Sequence, residues 1–244
     1  MRLRGFLRLT LRRLAVALSC AAAPLLATEP PATPTVPATA VRVIYLVRHG
    51  AYTPDDRIAP RPGPGLSPLG VAQARLAGAR LAALPFRFDA VVASPLTRTR
   101  ETARVLAADL RGATVEIEPD LAECSPPTWR TEANTDQKPE EMAACAERLD
   151  ALFARRFVPA KGNERHELFV AHGNVIRYLL TRAMRVDGKA WLEMSVGHAS
   201  LSIVRVEPDG RCKVTAAGDV GHLPANLQTG AAGDPERKLE PPPD

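Results

Sequence analysis

Cysteine is scarce in this sequence, and its spacing argues against a metal site. Four cysteines occur in 244 residues: Cys20 lies in an apolar N-terminal segment, and Cys124, Cys145 and Cys212 remain. Zinc ligands usually come as closely spaced pairs, and these three are far apart, so we predict neither a metal nor another cofactor. A disulfide between two of the three is an open alternative, since an odd number leaves at least one thiol unpaired.

Excess basic charge is absent beyond the N-terminus, although the bulk values suggest otherwise. The formal net charge is +5 and the isoelectric point is about 9.3. Residues 1–27 contain five arginines and no acidic residue, and subtracting those five charges from +5 leaves residues 28–244 formally neutral. Because nucleic-acid binding relies on a basic surface, we expect no nucleic-acid partner.

No apolar run reaches the roughly 20 residues that a membrane-spanning helix needs. The longest apolar segment, residues 14–27, follows Arg12 and Arg13, an order typical of a secretory signal. We therefore predict a signal peptide over residues 1–27, with an uncleaved N-terminal membrane anchor as the alternative and lipid attachment at Cys20 as a weaker one. Each interpretation predicts an exported protein, periplasmic or anchored to the inner membrane.

Segments with strand and helix patterns alternate over residues 41–224, which we predict to be one folded domain. Before it, residues 28–40 are rich in proline, threonine and alanine, a composition typical of an extended linker. After it, residues 225–244 have few large apolar side chains, so a flexible tail is expected. The alternation predicts an α/β fold of three layers, with a mainly parallel sheet and helices on both faces.

Two of the predicted strands end in a histidine followed by a glycine. Val41 to Val47 is a β-branched and aromatic run that leads to Arg48-His49-Gly50, and Leu168 to Ala171 leads to His172-Gly173. In open α/β sheets, ligands bind at the carboxyl ends of the strands, so these side chains are expected to converge. Two histidines and an arginine at this edge indicate a site for a phosphate dianion.

A second arginine is expected at the same edge. The strand Asp89 to Ala93 is followed by Ser94-Pro95, a pair typical of a helix start, with Ser94 as the capping residue. Arg98 would then lie in the first turns of that helix, whose amino end favours anions. The alternatives are that Arg98 pairs with Glu101 or Thr102 on its own helix, or that Arg100 takes its place.

Five sequence blocks follow one another along the domain: LVRHG at 46–50, LSPLGVAQA at 66–74, SPLTRTRETA at 94–103, LAE at 121–123 and VAHGNVIR at 170–177. With these blocks in this order, about residues 41–224 resemble the histidine phosphatase (phosphoglycerate mutase-like) superfamily. Within the superfamily, the chain is most similar to the mitochondrial serine/threonine protein phosphatase branch, through HGNVIRYLLTRAM, PDGR and GDVGHLP. The resemblance implies the phosphoglycerate mutase-like fold and a metal-independent phosphoric monoester hydrolase.

The resemblance also implies a role for each of five residues. His49 is the expected nucleophile, which forms a phosphohistidine intermediate that water then hydrolyses. Arg48 and Arg98 would grip the phosphate oxygens, while His172 would bind and polarise the phosphoryl group. Glu123 is the expected general acid and base, and three other acids are its rivals, namely Glu116, Glu118 and Asp120.

Four further residues have two interpretations each. Cys124 follows the expected acid where glycine is typical of the branch, which leaves the local geometry open. His198 and His222 are candidates for the edge of the pocket, with purely structural roles as the alternative. Trp129, in the same loop as the acid, either contacts substrate or packs.

The segment between Glu123 and the helix predicted at Pro139 is short. Mutases of this superfamily usually carry a longer lid insertion there, so a phosphatase is favoured over a mutase. The resemblance implies phosphoserine and phosphothreonine in proteins as the phosphorylated substrate. Two alternatives stay open: an exported phosphatase for small or envelope sugar phosphates, and a module that binds a phosphorylated ligand without catalysis.

Overall fold

The computed structural model describes residues 39–110 and 113–230 of the chain. The predicted signal peptide or anchor, most of the predicted linker and residues 231–244 of the predicted tail lie outside the described residues. The end of the linker differs from expectation, because Thr39–Ala40 forms a short strand that pairs antiparallel with Ala160–Lys161. Within the described ranges, no helix is both long and apolar enough to cross a membrane.

A six-stranded mixed sheet forms the centre of the domain. The strands of the described chain are β1 (Thr39–Ala40), β2 (Arg42–Arg48), β3 (Ala90–Ala93), β4 (Val115–Ile117), β5 (Ala160–Lys161), β6 (Arg165–Ala171), β7 (Leu201–Val206) and β8 (Cys212–Asp219). The spatial order of the sheet is β4-β3-β6-β2-β7-β8. Strands β4, β3, β6 and β2 run parallel, and the hairpin of β7 and β8 adds an antiparallel edge.

Helices cover both faces of the sheet. They are α1 (Pro68–Ala82), α2 (Thr97–Asp109), α3 (Pro139–Arg156) and α4 (Gly173–Met184). Alternate residues of β2 point to opposite faces, so Val43 and Tyr45 pack with α1 and α2, whereas Ile44 and Leu46 pack with α3 and α4. The predicted three-layer α/β fold is confirmed by this arrangement.

The start of α2 differs from the prediction at Ser94. The helix begins at Thr97, its N-cap residue is Leu96, and no side chain caps it. The Ser94 hydroxyl instead lies 2.7 Å from Nε2 of His172. Because the histidine engages this hydroxyl, the serine belongs to the edge of the sheet rather than to the helix.

Part of the predicted tail is folded against the domain. Nε2 of Gln73 in α1 donates to the carbonyl of Leu227 (2.6 Å) and to the hydroxyl of Thr229 (2.8 Å). The backbone amide of His198 donates to the Thr229 carbonyl (2.9 Å). The prediction of a loose tail therefore does not hold for residues 225–230. Hydrogen bonds to residues far away in sequence hold this segment, although it has few large apolar side chains of its own.

Candidate active site

The register of β2 and β6 brings His49 and His172 together. Arg48 pairs with Ala171 across these parallel strands, so the residue after each strand is a histidine at the same edge. The backbone amide of His49 donates to the Ala171 carbonyl (3.0 Å), and the centroids of the two imidazole rings lie 5.2 Å apart. The structure thus brings these two predicted residues to the carboxyl edge of the sheet.

The turn after His49 requires glycine. The amide of Gly50 donates to the hydroxyl of Thr102 on α2 (3.1 Å), and a Cβ added at Gly50 would overlap the carbonyl of Gly70 in α1. A larger residue would have to displace α1. This close approach fixes the end of β2 against both helices of one face.

Hydrogen bonds define the protonation of His49. Its Nδ1 lies 2.8 Å from the Gly50 carbonyl oxygen, and Nε of Arg98 donates to its Nε2 at 3.2 Å. A carbonyl only accepts and a guanidinium only donates, so Nδ1 carries the proton and Nε2 carries the lone pair. Burial lowers the pKa of His49 well below its usual range, and the charges of His172, Arg48 and Arg98 act in the same direction. The imidazole is therefore neutral at physiological pH.

His172 is fully buried and is held at both ring nitrogens. Nη2 of Arg98 donates to Nδ1 (3.2 Å), so the proton is on Nε2, which donates to the Ser94 hydroxyl (2.7 Å). Burial lowers the pKa of His172 well below its usual range, and Arg98 and Arg48 add to the effect. Arg98 thus fixes the tautomer of this ring, and Ser94 helps to hold its orientation.

Arg98 contacts both histidines from the first turn of α2. Its Nε and Nη2 donate to His49 and His172 respectively, and its Cζ lies 4.9 Å from the centroid of the Tyr52 ring. Burial lowers the pKa of Arg98, yet a guanidinium stays charged at physiological pH. The charged fork therefore lies between the two imidazoles.

Arg48 is held by backbone carbonyls and by His198. Nη1 donates to the carbonyls of Val196 (2.7 Å) and Gly230, and Nη2 donates to Nε2 of His198 (3.2 Å). Nε is buried and has no hydrogen-bond partner among the described residues. A buried unpaired N–H of a charged group costs free energy, and the oxygen of an anionic ligand would satisfy it.

Glu123 approaches His172 from an irregular segment. Its Oε2 lies 3.6 Å from Nδ1 of His172, too long for a direct hydrogen bond, and its Oε1 is buried without a partner among the described residues. Burial raises the pKa of Glu123 to about 7, although Arg48, Arg98 and Arg177 oppose this shift. The side chain keeps 29% of its area exposed although Oε1 is buried, so Glu123 lies at the border between the site and solvent. Both protonation states are accessible near neutral pH.

A disulfide anchors the segment that carries Glu123. Cys124 is bonded to Cys145 of α3, with Cα atoms 5.9 Å apart, and the third cysteine of the described chain is a free thiol. Arg148, also on α3, donates to the carbonyl of Ala122 (2.7 Å), and its Nη2 lies 2.8 Å from Sγ of Cys124. Helix α3 therefore holds the chain on both sides of the acid.

The three rival acids are placed elsewhere. The Glu118 carboxylate accepts from Arg156 (2.9 Å) and Arg155 (3.1 Å), Asp120 pairs with Arg155 (3.0 Å), and Glu116 is exposed. Of the four candidates, the predicted acid is the one that lies next to a site histidine. Within residues 39–110 and 113–230, no cluster of histidine, cysteine and acidic side chains is arranged to hold a metal ion.

The structure places His198, His222 and Trp129 in three different environments. His198 lies at the edge of the cluster, with its ring centroid 5.3 Å from that of His49, and burial lowers its pKa to about 3. His222 instead has its Nδ1 3.1 Å from Nη1 of Arg80 and its Nε2 3.0 Å from the carbonyl of Ala199, the residue after His198. Trp129 is exposed, with 56% of its surface accessible.

Two further residues near the cluster, Arg177 and Tyr52, are not predicted from the sequence. Arg177 on α4 donates to Oδ1 of Asn174 (2.9 Å), its Nη1 is buried without a partner among the described residues, and burial lowers its pKa to about 10. Its spacing was a usable signal, because it lies one helical turn after Gly173 and so points back to the same edge. Tyr52 lies 5.4 Å from His49 between ring centroids, and no motif marks it.

Curated relatives of the chain are protein phosphatases by name. The chain is 35% identical over 197 residues to "Serine/threonine-protein phosphatase Pgam5, mitochondrial" of Caenorhabditis elegans, and 32% identical over 197 residues to the Homo sapiens protein of that name. The alignments cover 78% and 79% of this chain, and 66% and 67% of the relatives. The chain thus spans about two thirds of the length of these relatives.

These names overturn the predicted localisation. The sequence predicts an exported protein, periplasmic or anchored to the inner membrane, whereas the curated relatives are mitochondrial by name. The prediction of export is therefore wrong. Arginine-rich starts also occur in transit peptides, so a basic stretch before an apolar segment does not separate the two kinds of signal.

A solved structure shares the fold. Phosphoglycerate mutase from Plasmodium falciparum matches with a TM-score of 0.54 and 23% identity, and the match covers 76% of this chain and 96% of that chain. A likeness at this identity supports the fold alone. It confirms the predicted phosphoglycerate mutase-like architecture.

A family model covers most of the described domain. The model described as "Histidine phosphatase superfamily (branch 1)" matches residues 44–152 and 125–219, a span that includes all five predicted site residues. Together with the curated relatives, this match confirms the predicted family and the phosphatase class. The chain belongs to branch 1 of the histidine phosphatase superfamily.

Proposed function

We propose that this protein hydrolyses phosphomonoesters through a phosphohistidine intermediate at His49, and that its substrates are phosphoserine and phosphothreonine in proteins. In this mechanism Arg48 and Arg98 bind the phosphate. His172 stabilises the phosphoryl group during transfer, and Glu123 is the general acid and base.

One observation carries the proposal, namely the hydrogen bonding of His49. Its Nδ1 donates to the Gly50 carbonyl (2.8 Å), which leaves the Nε2 lone pair directed at the guanidinium of Arg98 (3.2 Å). A phosphate bound by that guanidinium would present its phosphorus to Nε2. The nucleophile is therefore neutral, oriented and next to the group that would bind its target.

Phosphate binding changes the state of His172. Its Nδ1 accepts from Arg98 at 3.2 Å and so cannot donate. A phosphate dianion that draws Arg98 away also raises the pKa of the histidine, because a nearby opposite charge favours the charged form. His172 then takes a proton from solvent on Nδ1, and this N–H donates a hydrogen bond to a phosphate oxygen.

In the first step, Nε2 of His49 attacks phosphorus and the bond to the ester oxygen breaks. The leaving oxygen takes the proton of Glu123 and departs as an alcohol, while Glu123 becomes a carboxylate. Charge on the remaining phosphoryl oxygens is met by the arginines and by His172. The phosphorylated imidazole keeps its Nδ1 proton, which the Gly50 carbonyl accepts.

In the second step, water attacks the phosphorus and the bond from phosphorus to Nε2 breaks. The Glu123 carboxylate takes a proton from the water, so the acid returns to its starting state and inorganic phosphate leaves. A group with a pKa of about 7 suits both directions of proton transfer.

The curated relatives support phosphoproteins as substrates, since their name describes serine/threonine-protein phosphatases. The exposure of the site is compatible with a macromolecular substrate. Glu123 keeps part of its side chain in solvent, and Trp129, further along the same segment, is 56% exposed.

The test measures phosphate release by the full chain from p-nitrophenyl phosphate and from a phosphothreonine peptide, with a chelator present. We expect turnover of both, and a loss of at least about 1000-fold on both in His49→Asn. His166→Asn is the matched control, because this histidine lies at the opposite end of β6, beside Glu164.

Each other outcome rejects a defined part of the proposal. Turnover that survives in His49→Asn would contradict the histidine mechanism. Turnover of the aryl ester alone would keep the mechanism and reject phosphoproteins as substrates. Binding of phosphopeptide without turnover of either ester would favour a binding module.

A further inference from the structure

A cavity of about 410 Å³ lies beside Glu123. Its walls include the disulfide and four polar side chains, namely Arg61, Arg148, Gln137 and Glu141. Glu123 belongs both to this cavity and to the histidine cluster, where Oε2 lies 3.6 Å from His172. Because a general acid must contact the leaving oxygen, the part of the substrate beyond that oxygen extends toward this cavity.

Two arginines of the cavity have no ion-pair partner among the described residues. Nη2 of Arg61 donates to the Glu123 carbonyl (3.4 Å), and Nη2 of Arg148 donates to the Ala122 carbonyl (2.7 Å). In the part of the chain that the structure describes, neither guanidinium has a carboxylate oxygen within 4.0 Å, and Nε of Arg148 is buried without a partner. The positive charge in this wall is therefore uncompensated.

The nearby acids do not neutralise the two arginines. Glu141 is 58% exposed and lies 3.6 Å from the lysine that precedes α3. Asp120 acts on Arg148 electrostatically, but another arginine of α3 binds its carboxylate at 3.0 Å. Glu123 has a pKa of about 7 and is partly protonated at neutral pH. The leaving-group side of the site therefore carries net positive charge.

We propose that this cavity is a second anion-binding subsite, in which Arg61 and Arg148 bind a carboxylate side chain next to phosphoserine or phosphothreonine in the substrate. The inference rests on the proposed function, since it concerns the leaving-group side of the same site. Arg61 is exposed and can turn toward a carboxylate, whereas Arg148 is held by the Ala122 carbonyl. A second phosphate in the substrate shares this chemistry, so the test includes both anions.

The test uses phosphothreonine peptides that differ only in the neighbour of the phosphothreonine. The neighbour is aspartate, alanine, lysine or a non-hydrolysable phosphonate analogue of phosphoserine. With the full chain, we expect kcat/KM for the aspartate peptide to exceed that for the lysine peptide by about threefold to tenfold, as for a partly exposed ion pair. In Arg61→Glu the order reverses, and in Arg148→Gln the ratio falls toward one.

The ratio between peptides within one variant is the readout, because a general loss through the Glu123 segment affects all peptides alike. Arg57→Glu is the matched control. Arg57 lies on the same loop as Arg61, is 90% exposed and pairs with Asp55. Its replacement by glutamate makes the same change of charge as Arg61→Glu. We expect this variant to keep the wild-type ratio.

Three results would overturn the subsite. They are a wild-type ratio near one, a ratio that does not change in Arg61→Glu, and a preference for the phosphonate peptide without one for aspartate. Failure of the proposed function is a separate result, seen as no turnover of any phosphothreonine peptide, with or without turnover of p-nitrophenyl phosphate. Even then, calorimetric binding of the peptides to His49→Asn tests the subsite, since we expect the same order of affinities and equal affinities would contradict it.

Discussion

The two halves of the site are built from different kinds of backbone. At the sheet edge, His49 and His172 follow paired parallel strands, are buried, and are hydrogen-bonded at both ring nitrogens. On the acid segment, residues 122–124, Glu123 lies in irregular chain, remains partly exposed, and is held through a disulfide and Arg148. The first half is fixed by the fold itself, whereas the second is fixed by added cross-links.

This difference matches a division of chemical work. The sheet edge handles the phosphoryl group, which is the same in every phosphomonoester. The acid segment meets the leaving group, which differs from one substrate to the next. Aryl esters have good leaving groups and need little protonation, whereas alkyl esters need an acid. The ratio of the alkyl rate to the aryl rate therefore distinguishes the contribution of the acid segment from that of the sheet edge.

The largest selective effect is expected for Glu123→Gln. Loss of the general acid should slow alkyl esters by about 1000-fold and aryl esters by less than about tenfold, because only the alkoxide needs a proton in order to leave. The measurement is kcat/KM for phosphothreonine peptide and p-nitrophenyl phosphate, with the exposed Glu116→Gln as control. Equal losses on both esters would show that another residue is the acid.

A large effect without selectivity is expected for Arg98→Gln. The guanidinium contacts both histidines, and its loss should cost about 100-fold to 1000-fold in kcat/KM on alkyl and aryl esters alike. Arg100→Gln, an exposed position on the same helix, is the control and should behave as wild type. A loss confined to alkyl esters would break the division between the halves.

A smaller effect is expected from pH on the wild type. Glu123 has a pKa raised to about 7, so its acid form is present below that pH and is lost as pH rises through it. The ratio of alkyl to aryl kcat/KM should be constant at low pH and fall by about tenfold per unit above about pH 7. A ratio that stays flat up to pH 9 would contradict Glu123 as the acid with this pKa.

The smallest kinetic effect is expected from opening the disulfide. Replacing Cys124 and Cys145 by serine should lower the free energy of unfolding by about 3 kcal/mol and slow alkyl esters by about threefold, because the acid segment gains freedom. Denaturant unfolding and both ester assays measure this, with Cys212→Ser as control. Equal slowing of aryl esters would mean that the disulfide also supports the sheet edge.

The residues of the sheet edge could be predicted from sequence because each histidine directly follows its strand along the chain. A strand pattern followed by histidine predicts both the position and the edge, and parallel register then brings His49 to His172. Arg98 was also expected there, although its helix begins later than predicted because Ser94 is bound to His172. The role of Glu123 came from resemblance rather than from pattern.

The acid segment and the tail depended on partners that local sequence does not reveal. Three cysteines allow several pairings, and only packing against α3 selects Cys124 with Cys145. Residues 225–230 look like a tail by composition, yet Gln73, 154 residues before Leu227, holds them in place. Arg61 lies in the loop after β2 and Arg148 lies on α3, so only the folded structure shows that both line one cavity.

The central claim is that His49 carries the phosphoryl group, and one measurement tests it most directly. The full chain is mixed with phosphothreonine peptide, quenched in alkali within the first turnover, digested and analysed by mass spectrometry. We predict phosphate on the peptide that contains His49, stable in base and lost in acid, and none in His49→Asn. Phosphate on another residue, or steady turnover with no phosphorylated enzyme at any time point, would contradict the account.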